Sequence, residues 1–281
     1  YQLPTAWVLL NEFPDFECAT MSRITDWNSK NYKRLRYQTD TKWNKGHLPA
    51  MFESYQKFIG VGNLQEEKFA LRGDNEQAAF DYIWNDVKTN LHKFGRYSTW
   101  FYLQHLKHTA GVKIEPTSLM LSDYSGSRSH RNGLLYALGQ EENVDVNLTK
   151  EQYEKLEEES ADIIAEMRSR FPELKDVDYF TMETCLCSFK KLFRTSRGRY
   201  LGYYLDRQSE EIMQAEQDGW NGIEWNVLWQ SRDETKDPRL VGRNKINVER
   251  YSAFLNTGNF ENMEWMFADE PMTNNLEGLF L

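Results

Sequence analysis

The residues best equipped for chemistry are cations gathered in two short runs. Arg128, His130 and Arg131 place three hydrogen-bond donors within four residues. Lys190, Lys191, Arg194, Arg197 and Arg199 place five cations within ten, bracketed by Phe189, Phe193, Tyr200, Tyr203 and Tyr204. Cations beside large rings suit a surface that tracks a phosphate backbone and stacks on bases. The plainer reading is a solvated helix face, closed by surface ion pairs to Asp206, Glu210 and Glu211. Asp206, Arg207 and Gln208 set an acid, a planar cation and an amide side by side. That trio can grip an amino acid or a base edge, or open a helix with Asp206 as its N-cap.

Metal chemistry has little to build on at this level. Cys185 and Cys187 lack a second cysteine pair, and on a helix they point about 200° apart. His105 and His108 share a helix face, but no HExxH motif or carboxylate partner completes a site. No residue cluster found by spacing requires a metal, and no cofactor is expected. A Walker A loop and a GxGxxG turn are also absent, which argues against a nucleoside triphosphate or dinucleotide held by those routes.

The chain of 281 residues is 40% hydrophobic, enough for a substantial core. Its net charge of −9 argues against binding nucleic acid by bulk electrostatics, so any basic site must be local. Aromatic residues make up 14%, and rings of that abundance serve cores and base stacking alike. Apolar runs such as Ala6 to Leu10 and Leu134 to Leu138 are far shorter than a membrane span. Three cysteines do not make a disulfide framework, and a reducing cytoplasm is expected.

Those residues must be positioned by helices. Phe80, Ile83, Trp84, Val87 and Leu91 recur at three- and four-residue spacing from Asn75 onward, with Asp81, Asn85, Asp86 and Lys88 on the opposite face. A second helix carries Trp100, Phe101, Leu103 and Leu106. Thr149 and Gln152 resemble a capping box that opens a third helix, running toward Phe171 and Pro172. Further helices are expected over 181–193 and 209–217, with another starting at Leu134. The period of 223–229 fits a strand or a helix. Residues 1–40, with Pro4, Pro14 and the cluster Lys33, Arg34, Arg36, read as an irregular arm, and 41–281 as a single domain. Strand signals are sparse, so the fold class is mainly α.

The two helices after Asn75 form a hairpin around Phe94-Gly95-Arg96-Tyr97-Ser98. This run resembles the Gly-Arg-Tyr-Thr of helix-hairpin-helix DNA glycosylases, in which glycine allows the turn and backbone N–H groups of the second helix face a DNA phosphate. Those enzymes place a catalytic aspartate downstream, after an extended segment. Here Pro116 to Leu121 is the extended candidate and Asp123 follows, at a longer spacing than in the glycosylases. The alternative is that Gly95 joins two core helices and Asp123 caps a turn.

Four stretches taken together are similar to the bacteriophage amino acid:DNA transferases, also described as α-glutamyl/putrescinyl thymine pyrophosphorylases. They are Phe94 to Trp100, Ser127 to Gly133, Met182 to Arg194 and Arg199 to Gln208, and the similarity runs from about Phe80 to Trp229. That family is distantly related to DNA glycosylases. The resemblance therefore implies a helical, DNA glycosylase-like domain with a helix-hairpin-helix-type element.

It also implies a step in thymine hypermodification. A separate kinase pyrophosphorylates 5-hydroxymethyluracil in DNA, and the transferase replaces pyrophosphate on the exocyclic methylene with an amino acid. The expected partners are DNA carrying 5-pyrophosphoryloxymethyluracil, a free amino acid and other phage DNA-modification enzymes. The expected place is the cytoplasm of the infected bacterial host, away from the membrane.

Under this resemblance the base must flip out to be reached. Lys190, Lys191 and Arg194, then Arg128 and Arg131, are the cations nominated to hold the departing pyrophosphate. Gly95 and Arg96 would meet DNA phosphate. Asp123 is the first choice of base for the incoming amine, followed by His130 and Asp206. Arg207, with Gln208, would hold the amino acid carboxylate. A base-excision glycosylase would instead release free base. A non-catalytic DNA-binding or phage assembly protein would tolerate loss of Asp123.

Overall fold

The computed structural model describes residues 3–16, 18–32, 34, 46–60, 65–70, 73–123, 128–173, 177–193 and 203–234. Helices are α1 (Leu3–Glu12), α2 (Met21–Asn31), α3 (Leu48–Ile59), α4 (Gln65–Lys68), α5 (Glu76–Asn90), α6 (Arg96–Ala110), α7 (Ser129–Ala137), α8 (Lys150–Arg170), α9 (Tyr179–Phe189), α10 (Tyr203–Gln217) and α11 (Asn226–Glu234). There is no strand among the described residues, so the mainly α expectation holds, and within 223–229 the first three residues lead into α11 while the last four open it. No helix among the described residues is long and apolar enough to cross a membrane.

Two compact units are present: Tyr1–Gly46 with Arg197–Leu281, and His47–Ser196. In the first, α1 packs on α10 through Val8 and Ala215, with Trp27, Trp220, Ile223 and Trp225 around them. Where an irregular arm is expected, α1 and α2 are helical. Pro4 lies in the first turn, where its missing N–H costs nothing, and Thr20 caps α2 by accepting from the Arg23 N–H. Of the basic cluster there, Arg34 lies 3.9 Å from the Trp220 ring centroid, while Lys33 and Arg36 fall outside the described residues.

The second unit is built on the hairpin of α5 and α6. Asn75 caps α5, and its inward residues Phe80 and Trp84 meet Trp100 of α6 and Phe180 of α9 in edge-to-face contacts. The positive φ of the turn falls on Lys93, at 64°, and Gly95 is the extended N-cap of α6. Glycine is therefore not needed there for a left-handed backbone. The capping box at Thr149 forms as the spacing predicts. Its helix, α8, joins Tyr153, Leu156 and Ile164 to a core with Leu119, Leu134, Leu135 and Leu186.

Helices α7 and α9 lie against each other at Gly133. A Cβ added there would overlap the Leu186 carbonyl, 2.7 Å from its carbon. Backbone atoms cannot rotate away, so Gly133→Ala must push the helices apart. We expect it to cost about 1–3 kcal/mol or more, read as a lower denaturant midpoint. An unchanged midpoint would contradict this contact.

Candidate active site

Asp123 is positioned by a double clamp on the segment before it. The Arg96 guanidinium donates to the carbonyls of Leu119 (2.8 Å) and Met120 (3.4 Å). From the other side, the Glu157 carboxylate accepts the N–H groups of Leu119 (2.9 Å) and Leu121 (2.6 Å). Burial pushes the Glu157 carboxyl up, and those two N–H groups and Arg96 pull it back. The chain then turns, Asp123 donating its N–H to the Met120 carbonyl at 3.2 Å, with Met120 at a φ of 51°. The Asp123 carboxylate pairs with Lys88, whose ammonium also sits over the Trp84 ring. The Asp123 side chain keeps 19% of its surface exposed, so a ligand can reach it.

Beneath lies a buried polar cluster. Arg96 is 1% exposed, and its Nη1 donates to Oε1 of Glu183, also 1% exposed, at 3.4 Å. Burial draws the Arg96 guanidinium down and the Glu183 carboxyl up, their mutual attraction opposing both shifts. The guanidinium keeps its charge at neutral pH because its ordinary value stands so high. His130 is buried beside them, its Nδ1 3.7 Å from Glu183 Oε1. Desolvation, then Arg96 and Arg131, hold its imidazole well below the usual histidine range and therefore neutral. Among the described residues neither His130 ring nitrogen has a hydrogen-bond partner, and Glu183 Oε2 has none either. Asp123 and Glu157 both lie close enough for their charges to act on or be acted on by Arg96.

The other nominated residues separate into distinct settings. Arg131 is 1% exposed, with its guanidinium on Asn132 Oδ1, the Val146 carbonyl and the Tyr153 hydroxyl. Those bonds hold its guanidinium in the interior, as Leu119, Met120 and Glu183 hold that of Arg96, where the sequence reading expects both to meet phosphate. Apart from the neighbouring Asn132, their partners lie 15 or more residues away, at Val146 and Tyr153 for Arg131 and at Leu119, Met120 and Glu183 for Arg96. Arg128 is half-buried and donates to Asn147 at 2.8 Å.

Lys190 is half-buried at the end of α9, where a 3-10 turn begins. Phe193 closes that turn, exposed and stacked on Tyr136 at 4.0 Å. Lys191 lies in the turn, its side chain outside the described residues, as are Arg194, Arg197 and Arg199 entirely. Asp206, Arg207 and Gln208 fall within α10 of the other unit, so Asp206 is not that helix's N-cap, and their side chains are outside the described residues.

Lys88 and Glu183 escape the sequence reading, and Cys187 is weighed there only together with Cys185. Lys88 has the right position on the polar face of α5, but its partner Asp123 is 35 residues away. Glu183 and Cys187 share one face of α9 at an i, i+4 spacing that has no meaning until α7 brings His130 to it.

A separate cleft of about 620 Å³ lies at the end of α6 and is lined by Lys107, Lys113, Arg168, Glu76, Glu115 and Asp178 among others. None of the residues nominated from sequence lines it. Lys107 bridges Glu115 and Asp178, and Asp178 also caps α9 through the Thr181 N–H at 2.8 Å. Against the cost of burial, Lys107 and Thr181 hold the Asp178 carboxyl below its ordinary value of 3.8. A depressed carboxylate stabilises the fold above its unfolded value, and that contribution disappears as pH falls through its folded value. Asn caps as well as Asp, so Asp178→Asn removes the charge and keeps the cap. The wild type's stability advantage over this variant should shrink from neutrality to about pH 3 in urea titrations. A constant difference would contradict the assignment.

Comparison with known proteins adds an independent line. The family described as amino acid:DNA transferase matches residues 2–199. A serinyltransferase of Salmonella phage ViI is 26% identical over 242 residues, covering 80% of this chain and 58% of that protein. The chain thus spans little more than half the length of this curated relative. No solved structure matches it. The matched span contains the α5–α6 hairpin, the clamped Asp123 segment and the α7–α9 pair. Most of the chain is thereby accounted for by one family, and the protein belongs to the amino acid:DNA transferases.

Proposed function

We propose that this chain transfers an amino acid onto 5-pyrophosphoryloxymethyluracil in phage DNA and releases pyrophosphate. The observation that carries the reading is the family match over residues 2–199, a span that includes the accessible Asp123 carboxylate and the segment before it, held from both sides by Arg96 and Glu157. Serine is the first donor to test, because the phage ViI relative is named a serinyltransferase.

In the proposed reaction the amino acid nucleophile attacks the exocyclic methylene, the carbon–oxygen bond to pyrophosphate breaks, and pyrophosphate leaves with the bonding electrons. Asp123 accepts the proton the nucleophile gives up. Lys88 sits beside it as a cation available to the leaving group, and Lys190 and Lys191, in the turn after α9, together with Arg194 are assigned the same role. Arg128 keeps the same assignment at the surface. The exposed ring of Phe193, backed by Tyr136, offers a stacking face for a base. Arg96, Arg131 and Glu157 act by positioning: they fix the segments from which these groups project. His130 and Asp206 remain alternative proton acceptors, and Arg207 with Gln208 the proposed holders of the amino acid carboxylate. The setting proposed for this activity is the cytoplasm of an infected bacterial host, alongside the kinase that supplies the pyrophosphorylated base.

The test is incubation with DNA containing 5-pyrophosphoryloxymethyluracil and a mixture of amino acids, followed by nuclease digestion and mass analysis of nucleosides. An amino-acid adduct supports the reading and names the donor. Unchanged nucleoside, or an abasic site, overturns it.

A further inference from the structure

The buried cluster under Asp123 contains donors that the reaction does not need when Asp123 takes the proton. His130 is 3% exposed and Glu183 1% exposed, and among the described residues both His130 ring nitrogens and Glu183 Oε2 are unpartnered. A buried polar atom without a partner costs about 1–3 kcal/mol, and three in one cluster ask for an explanation. Cys187, one turn after Glu183 on α9, brings a sulfur to the same point. One ligand atom from each of the three residues lies within 4.8 Å of the others.

The distances suit a small tetrahedral ion. His130 Nδ1 to Glu183 Oε1 is 3.7 Å, and Cys187 Sγ to the same oxygen is 3.7 Å. Zinc bonds of about 2.0–2.3 Å at tetrahedral angles put donor atoms roughly 3.3–3.8 Å apart. Two edges of the triangle are already of that length, leaving only the His130–Cys187 edge to close. Imidazole, thiolate and carboxylate together favour zinc over magnesium or calcium, which take oxygen sets.

We propose that His130, Glu183 and Cys187 form a three-ligand site for a zinc-class divalent cation that ties α7 to α9, with water in the fourth position. Binding releases the Cys187 proton, so thiolate and carboxylate together neutralise the two charges of the ion. Arg96 stands 3.4 Å from Glu183 Oε1 and opposes a cation there. Its charge is shared with Glu157 and Asp123, so recruiting Glu183 to the metal does not strand it. The inference is independent of the transferase reading.

The test uses the full chain, stripped with a chelator and titrated with Co²⁺ and Zn²⁺. The expected result is one ion per chain by elemental analysis, a thiolate-to-cobalt charge-transfer band, and a melting temperature that rises with Zn²⁺. Cys187→Ser exchanges only sulfur for oxygen and should lose the band and at least about tenfold in affinity, taking the effect of losing a hydrogen-bond partner of a metal ligand as a lower limit. Cys185→Ser, on the same helix but outside the triad, should behave as wild type. Absence of stoichiometric uptake by the wild type overturns the proposal. So does a charge-transfer band that survives in Cys187→Ser or disappears in Cys185→Ser.

Discussion

Asp123→Asn should lower amino acid transfer by about 10²–10⁴-fold while leaving the protein folded and able to bind DNA. The substitution preserves shape and can still accept from Lys88, but an amide cannot take a proton from the nucleophile. The lost ion pair is partly exposed and worth at most about 1 kcal/mol, so the melting temperature should barely move. Single-turnover adduct formation under saturating DNA is the appropriate measurement, with binding followed separately by fluorescence anisotropy. A variant with full turnover would reduce Asp123 to a turn residue paired with Lys88. A variant that fails to bind DNA would move its role from proton transfer to recognition.

The largest effect on stability is expected at Arg96. Arg96→Met leaves Glu183 buried without its cation and removes the donors to the Leu119 and Met120 carbonyls. Breaking one side of a buried ion pair typically costs about 3–5 kcal/mol. Adding Glu183→Leu to Arg96→Met should recover part of that loss, because the stranded carboxylate is then gone. Denaturant unfolding of both single variants and the double variant measures the coupling. Strict additivity would contradict the pair. The single Arg96 variant should also lose activity beyond its loss of folded protein, since the clamp that presents Asp123 is then held only from the Glu157 side.

Both predictions rest on features that differ in how well the sequence announces them. The helices of the hairpin and α8 are legible because their signals are local: apolar residues at helical spacing, Asn75 as a cap, and a capping box at Thr149. Asp123 is legible as a candidate because an extended segment precedes it. The arm is less so, since Pro4 reads as a break until it is seen in the first turn of α1.

The inward turn of Arg96 and Arg131 is hidden for a physical reason. An isolated arginine is a surface residue by composition, and its burial depends on partners brought from elsewhere. Glu183 lies 87 residues from Arg96, and Tyr153 lies 22 from Arg131. The motif Ser127 to Gly133 is therefore informative for a different reason than its charge suggests. His130, Arg131, Asn132 and Gly133 are all buried, three supplying polar contacts or ring nitrogens to the interior and the fourth allowing α9 to approach.

The most direct test of the central claim is to follow pyrophosphate release from DNA carrying 5-pyrophosphoryloxymethyluracil, with and without serine and other amino acids. The account predicts release that requires an amino acid and equals, mole for mole, the adduct formed. Equal release in the absence of any amino acid, or loss of the base itself from the DNA, would contradict it.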